Sequence, residues 1–425
     1  MFLQFLLWVL SRLLIRANRK NAAFRELAAR KNVVFQLATR DKKTARHFIF
    51  EDGSISSRPG PSSRSDVSLL FKDSAYAVSV MLSKDEEAFT HGILHNDILI
   101  EGDLSLVIWF QNLTQQLKRQ RNQVPDHFRT IGFVGVGLIG APMARSLMRR
   151  GFRVKAYDKN REATDRIVDH GAVGCDSLDA FQDVDAVVIV VNTMDQVEEV
   201  VTALTRILPK PSTVPLIMMS TVLPDRVKAL RKTLDEMGRT DLEIVEAPVS
   251  GAPLLAEAGR LSVMVGGQRD AFAKVKPILS AMGDEKKIFY LGALGNGSAM
   301  KLVNNIIGIS VGLNVLEALT LGRKKGLDAD TMARVINASS GKNFLTEQWP
   351  LTRKMFELLL QDTAYDAKSA LFTTGIKDLE TAKYWGALDN INIPCVENAI
   401  DQINNLNEEA LVSTIKTVFG FNGTS

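Results

Sequence analysis

The spacing of hydrophobic residues changes along the chain and divides it into segments. In the first segment apolar and polar residues alternate as in half-buried strands, which are predicted over residues 33–37, 46–51, 66–71 and 97–102. Asp52-Gly53, between the second and third, is typical of a hairpin turn. An apolar helix over residues 104–117 follows. The pattern therefore predicts a small α+β domain with an antiparallel sheet.

Beyond residue 130 strands and helices alternate, which is typical of a parallel α/β sheet. Residues 186–191 are almost wholly apolar, as expected for a strand buried on both faces. From about residue 296 the pattern is helical to the end. These changes predict five segments: an apolar N-terminal helix over 1–20, an α+β domain over 21–119, a linker over 120–129, an α/β domain over 130–293 and an all-α domain over 294–425.

The first sixteen residues form an apolar run that Arg12 interrupts. The run is shorter than the roughly 20 residues that span a bilayer, and no basic region precedes it as in a signal peptide. Basic residues follow it directly at Arg16, Arg19 and Lys20. This arrangement suits a helix that lies in a membrane interface, while a helix docked on its own domain is the equal alternative. A transmembrane anchor ranks behind both.

Composition describes an ordinary globular protein, with 46% hydrophobic and 24% charged residues among 425. The net charge of +4 is small for this length and does not predict a nucleic-acid partner. Cys175 and Cys395 are the two cysteines, so neither a disulfide framework nor a cysteine metal site is expected. No metal is predicted at His91 and His95, because Gly92 interrupts the helix between them. We expect a cytoplasmic location, which would be peripheral to a membrane if residues 1–119 contact lipid.

A glycine motif follows the first strand of the α/β domain. The apolar strand over residues 131–134 leads into Gly135-x-Gly137-x-x-Gly140, and a helix opens around Pro142. Such glycines make a tight turn, let the backbone approach a pyrophosphate and let the helix pack close to the strand. The helix N-terminus then favours a phosphate. Asp158 lies about 20 residues further on, where a carboxylate accepts from a ribose hydroxyl, so the motif predicts a dinucleotide site.

The α+β domain resembles the sterol-carrier-protein lipid-binding domain over most of residues 24–117. The resemblance rests on the strand that ends at Asp52-Gly53, the run over residues 64–69 and the strand that leads into residues 101–104 before an apolar helix. It implies an apolar tunnel for acyl chains or sterols. A scaffold with a filled core is the alternative.

Residues 130–405 resemble the β-hydroxyacid dehydrogenase family, which includes 3-hydroxyisobutyrate and 6-phosphogluconate dehydrogenases. Four blocks match in order: the glycine block over residues 132–144, Glu246-Ala247-Pro248-Val249-Ser250-Gly251-Ala252, the Gly-x-Gly-x3-Lys-x3-Asn pattern over residues 295–305, and Lys377-Asp378-Leu379. The resemblance implies a Rossmann domain, an all-α C-terminal domain and a site in the cleft between them. Since relatives dimerise through the helical domain, it also implies a homo-oligomer.

The resemblance assigns roles to individual residues. It implies Lys301 and Asn305 as catalytic residues, and Ser250, Gly251 and Ala252 as the loop that binds the substrate carboxylate. The residues it implies for cofactor binding are Gly135, Gly137, Leu138, Ile139, Gly140, Asp158, Asn192, Met194, Thr221 and Lys377.

The residue types suit this chemistry. Oxidation of a hydroxyl with hydride loss to a nicotinamide needs a group that takes the hydroxyl proton, and a lysine whose pKa burial has lowered can take it. Lys301 and Asn305 lie four apart, on one helical face, and can address one substrate. Asp158 favours NAD, since it repels a 2′-phosphate, although Lys159 and Arg161 nearby keep NADP as the alternative.

The sequence thus predicts an NAD(P)-dependent dehydrogenase of a small β-hydroxyacid. The apolar residues Pro253-Leu254-Leu255 stand where smaller ones are usual in the family, so the substrate is either 3-hydroxyisobutyrate-like or a more lipophilic hydroxy-carboxylate. Two alternatives remain: a non-catalytic nucleotide-binding sensor on the same fold, or a protein whose first 120 residues have the main role, as a lipid-transfer module.

Overall fold

The computed structural model describes residues 2–20, 22–29, 31–83, 88–94, 97–103, 128–347, 367–405 and 408–420, with short pieces at 106–107, 109–110, 113–114, 117, 349–350, 352–353, 356 and 360. The chain divides into two compact units, Met1–Gln123 and Val124–Ser425.

A five-stranded sheet forms the centre of the first unit. Its strands are β1 (Val33–Thr39), β2 (Ala45–Glu51), β3 (Ser54–Pro59), β4 (Val67–Phe71) and β5 (Ile98–Gly102), in the order β3-β2-β1-β4-β5. The helices are α1 (Phe2–Lys20), α2 (Ala22–Ala29), α3 (Ser74–Leu82) and α4 (Ala88–Leu94). Asp52 and Gly53 both have positive φ, 46° and 74°, and join β2 to β3 in the tight hairpin expected of that pair.

The predicted antiparallel sheet is wrong at its centre, because β1 and β4 run parallel. The connection after β3 passes over Gln36, whose buried side chain accepts from the Ser62 N–H at 2.6 Å and donates to the Ser68 hydroxyl at 3.1 Å. The chain therefore enters β4 beside β1 and in the same direction. Alternation of apolar residues reports which face a side chain occupies and carries no information on strand direction.

Aromatic rings fill the space on one face of this sheet. Phe35 stacks on Phe110 with ring centroids 3.9 Å apart, and Phe50 meets Trp109 edge-on at 4.7 Å. Helix α1 joins the same core through Leu3, Leu7 and Leu14, which are buried. The helix is thus docked on its own unit by one face.

The second unit begins with a six-stranded parallel sheet flanked by helices. The sheet has the order β11-β10-β9-β6-β7-β8, from β6 (Thr130–Val134), β7 (Arg153–Tyr157), β8 (Val173–Gly174), β9 (Ala186–Ile189), β10 (Leu216–Met218) and β11 (Ile244–Glu246). The helices are α5 (Gly140–Arg149), α6 (Arg161–Val168), α7 (Met194–Ile207) and α8 (Pro224–Glu236), with a 3₁₀ turn at Leu178–Phe181. Two apolar cores cover the faces, as expected for strands buried on both sides.

A three-stranded sheet follows, made of β12 (Val249–Ser250), β13 (Leu261–Val265) and β14 (Gly283–Tyr290), with α9 (Pro253–Ala258) and α10 (Arg269–Met282). Strand β13 thus lies outside the parallel sheet. The C-terminal helices are α11 (Asn296–Lys324), α12 (Ala329–Asn337), α13 (Phe344–Glu347), α14 (Ala367–Leu388), α15 (Pro394–Asn405) and α16 (Glu408–Phe419). Within the described residues, α11 alone has the length and hydropathy to cross a membrane, a weak criterion that core helices of other proteins also meet.

Candidate active site

The glycine motif forms a tight turn between β6 and α5. Gly135 has φ +89°, and a Cβ there would overlap the Val190 carbonyl oxygen; one on Gly140 would overlap the carbonyl oxygen of Gly135. At Gly137 the structure leaves open space, and this residue is exposed. The outer glycines are therefore required for close packing, while the middle one leaves room for a ligand to reach the backbone.

The start of α5 presents backbone N–H groups without a side-chain cap. Ile139 is the capping residue and makes no side-chain hydrogen bond, and both Leu138 and Ile139 are half-buried. Helix N-termini of this kind bind anions, because several N–H groups lack an intrahelical partner. The turn can accept a phosphate.

Asp158 follows the end of β7 and reaches back to this turn. Its Oδ2 accepts from the Val136 N–H at 2.8 Å, and its Oδ1 accepts from the Asn160 N–H at 2.8 Å. The carboxylate thereby holds the turn and keeps lone pairs for a further donor. Lys159 is drawn away by Glu199, with Nζ–Oε distances of 2.7 and 3.0 Å.

Lys301 lies in the second turn of α11 and is only 8% exposed. Burial lowers the pKa of Lys301 to about 8, with a further lowering from the Lys377 cation, while the Asp378 carboxylate opposes both. An amine with a pKa near neutrality can both take and give a proton at physiological pH.

A buried carboxylate connects the predicted catalytic residues. Asp378 in α14 is 3% exposed; its Oδ2 accepts from Asn305 Nδ2 at 2.6 Å, and its Oδ1 lies 3.0 Å from Lys377 Nζ. The same carboxylate attracts the charge of Lys301. Asp378 thus brings together residues of α11 and α14 that are far apart in sequence.

Lys377 reaches the ends of two strands of the parallel sheet. Its Nζ donates to the carbonyl oxygen of Asn192 at 3.0 Å and to that of Thr221 at 3.1 Å. Three of the residues predicted for the cofactor are therefore adjacent. Met194 differs from these three residues. It is the first residue of α7, and its side chain is 6% exposed and packs in the apolar core on one face of the parallel sheet.

The predicted carboxylate loop lies between β12 and α9. Ser250 is half-buried and its hydroxyl lies 3.4 Å from Asn304 Nδ2, which also donates to Asn305 Oδ1 at 3.2 Å. Gly251 is exposed with φ +143°, a conformation that L side chains rarely adopt, and Ala252 caps α9. The loop is therefore joined through Asn304 to α11, the helix that carries Lys301.

Helix α9 is held against α5 by Glu257. Its carboxylate accepts from Arg145 at 2.8 Å and from Arg149, which also donates to the Glu257 carbonyl oxygen. The two arginines keep the pKa of Glu257 below its usual value even though burial acts to raise it. This contact connects the helix of the glycine turn with the helix that follows the carboxylate loop.

The N-terminus of α11 is capped by a buried glutamate from the parallel sheet. Glu246 is 1% exposed and accepts from the N–H groups of Gly295, Gly297 and Ser298 and from the Ser298 hydroxyl at 2.5 Å. Burial raises the pKa of Glu246, against the effect of these hydrogen bonds. The cap fixes the helix that carries Lys301.

Three residues of this arrangement were given no role by sequence reasoning: Glu246, Asn304 and Asp378. Each belongs to a recognised block, and an acidic residue in an apolar stretch is the signal that could have singled out Glu246. Their partners lie in other blocks, so only the fold reveals what they contact.

Comparison with known proteins identifies two family domains. Residues 130–292 match the NAD binding domain of 6-phosphogluconate dehydrogenase, and residues 295–411 match the NAD-binding domain of NADP-dependent 3-hydroxyisobutyrate dehydrogenase. A 3-hydroxyisobutyrate dehydrogenase of Pseudomonas aeruginosa is 35% identical over 228 residues, 52% of this chain and 74% of that protein. The chain belongs to the 3-hydroxyisobutyrate dehydrogenase family.

Another relative in this family is the 2-(hydroxymethyl)glutarate dehydrogenase of Eubacterium barkeri, 35% identical over 51% of this chain and 71% of that protein. The solved 3-hydroxyisobutyrate dehydrogenase of Mycobacterium tuberculosis, studied with L-serine, has the same fold, with a TM-score of 0.55 at 24% identity over 70% of this chain and all of that one. The predicted Rossmann-like α/β domain followed by a helical domain is therefore confirmed, as is membership of an NAD(P)-dependent dehydrogenase family.

Proposed function

We propose that this protein transfers hydride between NAD(P) and a β-hydroxyacid, with Lys301 as the general acid and base. The observation that carries the proposal is the buried Lys301 amine with its pKa lowered to about 8, beside the Asp378 carboxylate. A non-catalytic sensor has no use for a buried lysine of lowered pKa, since burying its charge costs stability.

The glycine turn fits a dinucleotide. Gly137 gives a pyrophosphate access to the backbone, the uncapped start of α5 supplies N–H groups, and Asp158 retains acceptor capacity for a ribose hydroxyl. When bound, the nicotinamide supplies the hydride acceptor. Asp158 favours NAD over NADP, and the ion pair with Glu199 keeps Lys159 from neutralising this preference.

The residues of the chain supply binding and proton transfer. Lys301 Nζ takes the hydroxyl proton in oxidation and returns it in reduction. Asn305, oriented by Asp378, donates to or accepts from the same hydroxyl. Ser250 and the backbone at Gly251 bind the substrate carboxylate as a neutral cradle, and Ala252 borders it.

The substrate is proposed to be 3-hydroxyisobutyrate-like or a more lipophilic hydroxy-carboxylate. Leu254 and Leu255 follow the carboxylate loop and are half-buried, and Leu255 packs against the core of the α/β domain. Because Leu255 is engaged in that core, Leu254 is the apolar residue beside the loop that is proposed to favour a longer substrate chain.

A panel of hydroxyacids of graded chain length, assayed with NAD and with NADP, tests this function by absorbance of the reduced nicotinamide. We expect turnover with at least one β-hydroxyacid and loss of turnover in Lys301→Ala. Lys324→Ala is the matched control, since Lys324 is exposed on the same helix. Thermal protection by NAD without turnover on any substrate, and no effect of Lys301→Ala, would assign the protein as a nucleotide sensor.

We propose that residues 21–119, the α+β domain that the sequence predicts, form a sterol-carrier-like domain within the first unit. A five-stranded sheet accompanied by helices supports the α+β architecture that the resemblance implies, while the stacking of Phe35 on Phe110 favours a filled interior. Mass spectrometry of an organic extract of the purified protein tests the lipid-transfer alternative. A stoichiometric bound lipid would support it, and its absence would leave contact with a lipid surface as the remaining role.

We also propose a homo-oligomer formed through the helical domain, in a cytoplasmic protein. Helices α11 and α12 expose apolar residues, with Ile307 60%, Leu321 62% and Val335 59% exposed. A second copy of this chain is the proposed partner for this exposed apolar surface, because a symmetric dimer buries the same surface on both subunits. Light scattering of wild type and Ile307→Asp tests it: the variant is expected to be monomeric.

A further inference from the structure

The outer face of α1 presents aromatic and basic groups together. Phe2, Phe5 and Trp8 are 55%, 54% and 43% exposed, and their rings follow one another along the helix with centroids 6.4 and 6.1 Å apart. Arg12 lies over the Trp8 ring at 5.3 Å. Large apolar side chains on an exposed helix face, in a row, indicate an interaction surface.

This face is exposed because α1 is already docked by its opposite side. Leu3, Leu7 and Leu14 are buried in the unit. At the other end Asn18 donates to the Gly53 carbonyl oxygen at 2.9 Å, and Arg25 donates to the last carbonyl oxygens of the helix. The orientation of the helix is thus set by the fold.

The charge of the helix selects the kind of partner. Its C-terminal half carries Arg12, Arg16, Arg19 and Lys20, all exposed, and the sequence has no acidic residue before Glu26. Arg12 is also close enough to Arg46 of β2 to contribute to the lowered pKa of that guanidinium. Apolar rings followed by four cations, on a helix about 28 Å long, complement an anionic interface with an apolar layer beneath it.

We propose that the outer face of α1 binds an anionic phospholipid bilayer, with Phe2, Phe5 and Trp8 inserted below the headgroups and the cations on lipid phosphates. The helix lies in the interface and does not span it. The dehydrogenase would thereby be held at a membrane surface, whatever its hydroxyacid substrate.

Vesicle flotation of the full chain tests this surface, with vesicles of phosphatidylcholine alone and with roughly 30% phosphatidylserine. We expect flotation with the anionic vesicles, weakened by salt, and loss of flotation in Phe5→Ser/Trp8→Ser. Leu82→Ser is the matched control, because Leu82 is an equally exposed apolar residue, 57%, elsewhere in the unit. Arg16→Gln/Arg19→Gln is expected to weaken binding roughly fivefold per charge, unlike Lys43→Gln at an exposed turn.

Three results would overturn the proposal: no flotation of the wild type at low salt, equal flotation of all variants, or self-association through the same face. The last would appear in light scattering as oligomers that Phe5→Ser/Trp8→Ser dissolves while vesicles bind neither protein. Hydride transfer measured on each variant separates this test from that of the proposed activity, since the two readouts fail independently.

Discussion

Asn305 donates a hydrogen bond of 2.6 Å from Nδ2 to the buried Oδ2 of Asp378. The bond crosses from α11 to α14 and turns Nδ2 of the asparagine toward the carboxylate, while its Oδ1 accepts from Asn304 Nδ2 at 3.2 Å. Because Asp378 also pairs with Lys377 and attracts the charge of Lys301, one carboxylate influences both the orientation of the Asn305 amide and the electrostatics of the Lys301 amine.

Replacing Asp378 by asparagine is expected to lower the pKa of Lys301 further, since the carboxylate is the influence that raises it. The pH at which oxidation reaches half its maximal kcat/KM should therefore move down. We also expect kcat to fall by up to about a hundredfold, because Asn305 loses a charged acceptor and its orientation. Glu380→Gln is the control, as Glu380 is exposed on the same helix. An unchanged pH profile would show that the Asp378 carboxylate does not influence the pKa of the group that accepts the proton.

The wild-type pH dependence follows from the pKa of Lys301. In the proposed mechanism the neutral Lys301 amine accepts the proton in oxidation, so kcat/KM should rise with pH and level off above about 8. Reduction needs the protonated amine, and its rate should fall over the same range. Initial rates in both directions between pH 6 and 10, roughly two units either side of that pKa, check the opposite slopes. Parallel profiles would exclude Lys301 as the common group.

The free energy of unfolding should also depend on pH through the lowered pKa of Lys301. The pKa of Lys301 is lowered from 10.5 to about 8 on folding, so between these values the unfolded chain binds more protons and stability rises with pH. Below pH 8 the buried charge costs about 3 kcal/mol at most. Lys301→Met should thus be about 1 to 3 kcal/mol more stable at pH 7 and equal to wild type near pH 11. Calorimetry at several pH values would show this convergence.

The blocks that form the candidate site could be recognised in the sequence because each of them is local. The turn at Gly135 and the order of strands and helices depend on short-range spacing, and so does the placement of Lys301 and Asn305 on one helical face. The parallel pairing of β1 with β4 depends on a connection that passes over Gln36, which periodicity does not record.

Contacts between distant blocks escaped prediction for the same reason. Asp378 is adjacent in sequence to Lys377, yet its hydrogen-bond partner Asn305 is 73 positions away. The family resemblance implies Met194 as a cofactor residue, and its side chain lies in the core. The direction and burial of an individual side chain depend on its packing against residues distant in sequence, and short-range spacing does not reveal those partners.

Cofactor choice is expected to depend on Asp158 together with Glu199. Asp158→Ser removes the charge that repels a 2′-phosphate and should shift the NADP to NAD ratio of kcat/KM by roughly tenfold, about 1.4 kcal/mol. Adding Glu199→Gln frees Lys159 from its ion pair and should shift the ratio further. Asp169→Ser is the control, at an exposed position after α6. A ratio that does not move would place the ribose away from Asp158.

We expect the cap formed by Glu246 to contribute strongly to the stability of α11, the helix that carries Lys301. Glu246→Gln places an N–H₂ group where two acceptors are needed, so Ser298 or the two glycines lose their partner, at a cost of about 1 to 3 kcal/mol. Ser298→Ala removes one hydrogen bond and should cost about 1 kcal/mol. Because the two side chains share that bond, the double variant should be less destabilised than the sum, as a double-mutant cycle by denaturant unfolding measures. Additive losses would mean that Glu246 stabilises the helix through its backbone contacts alone.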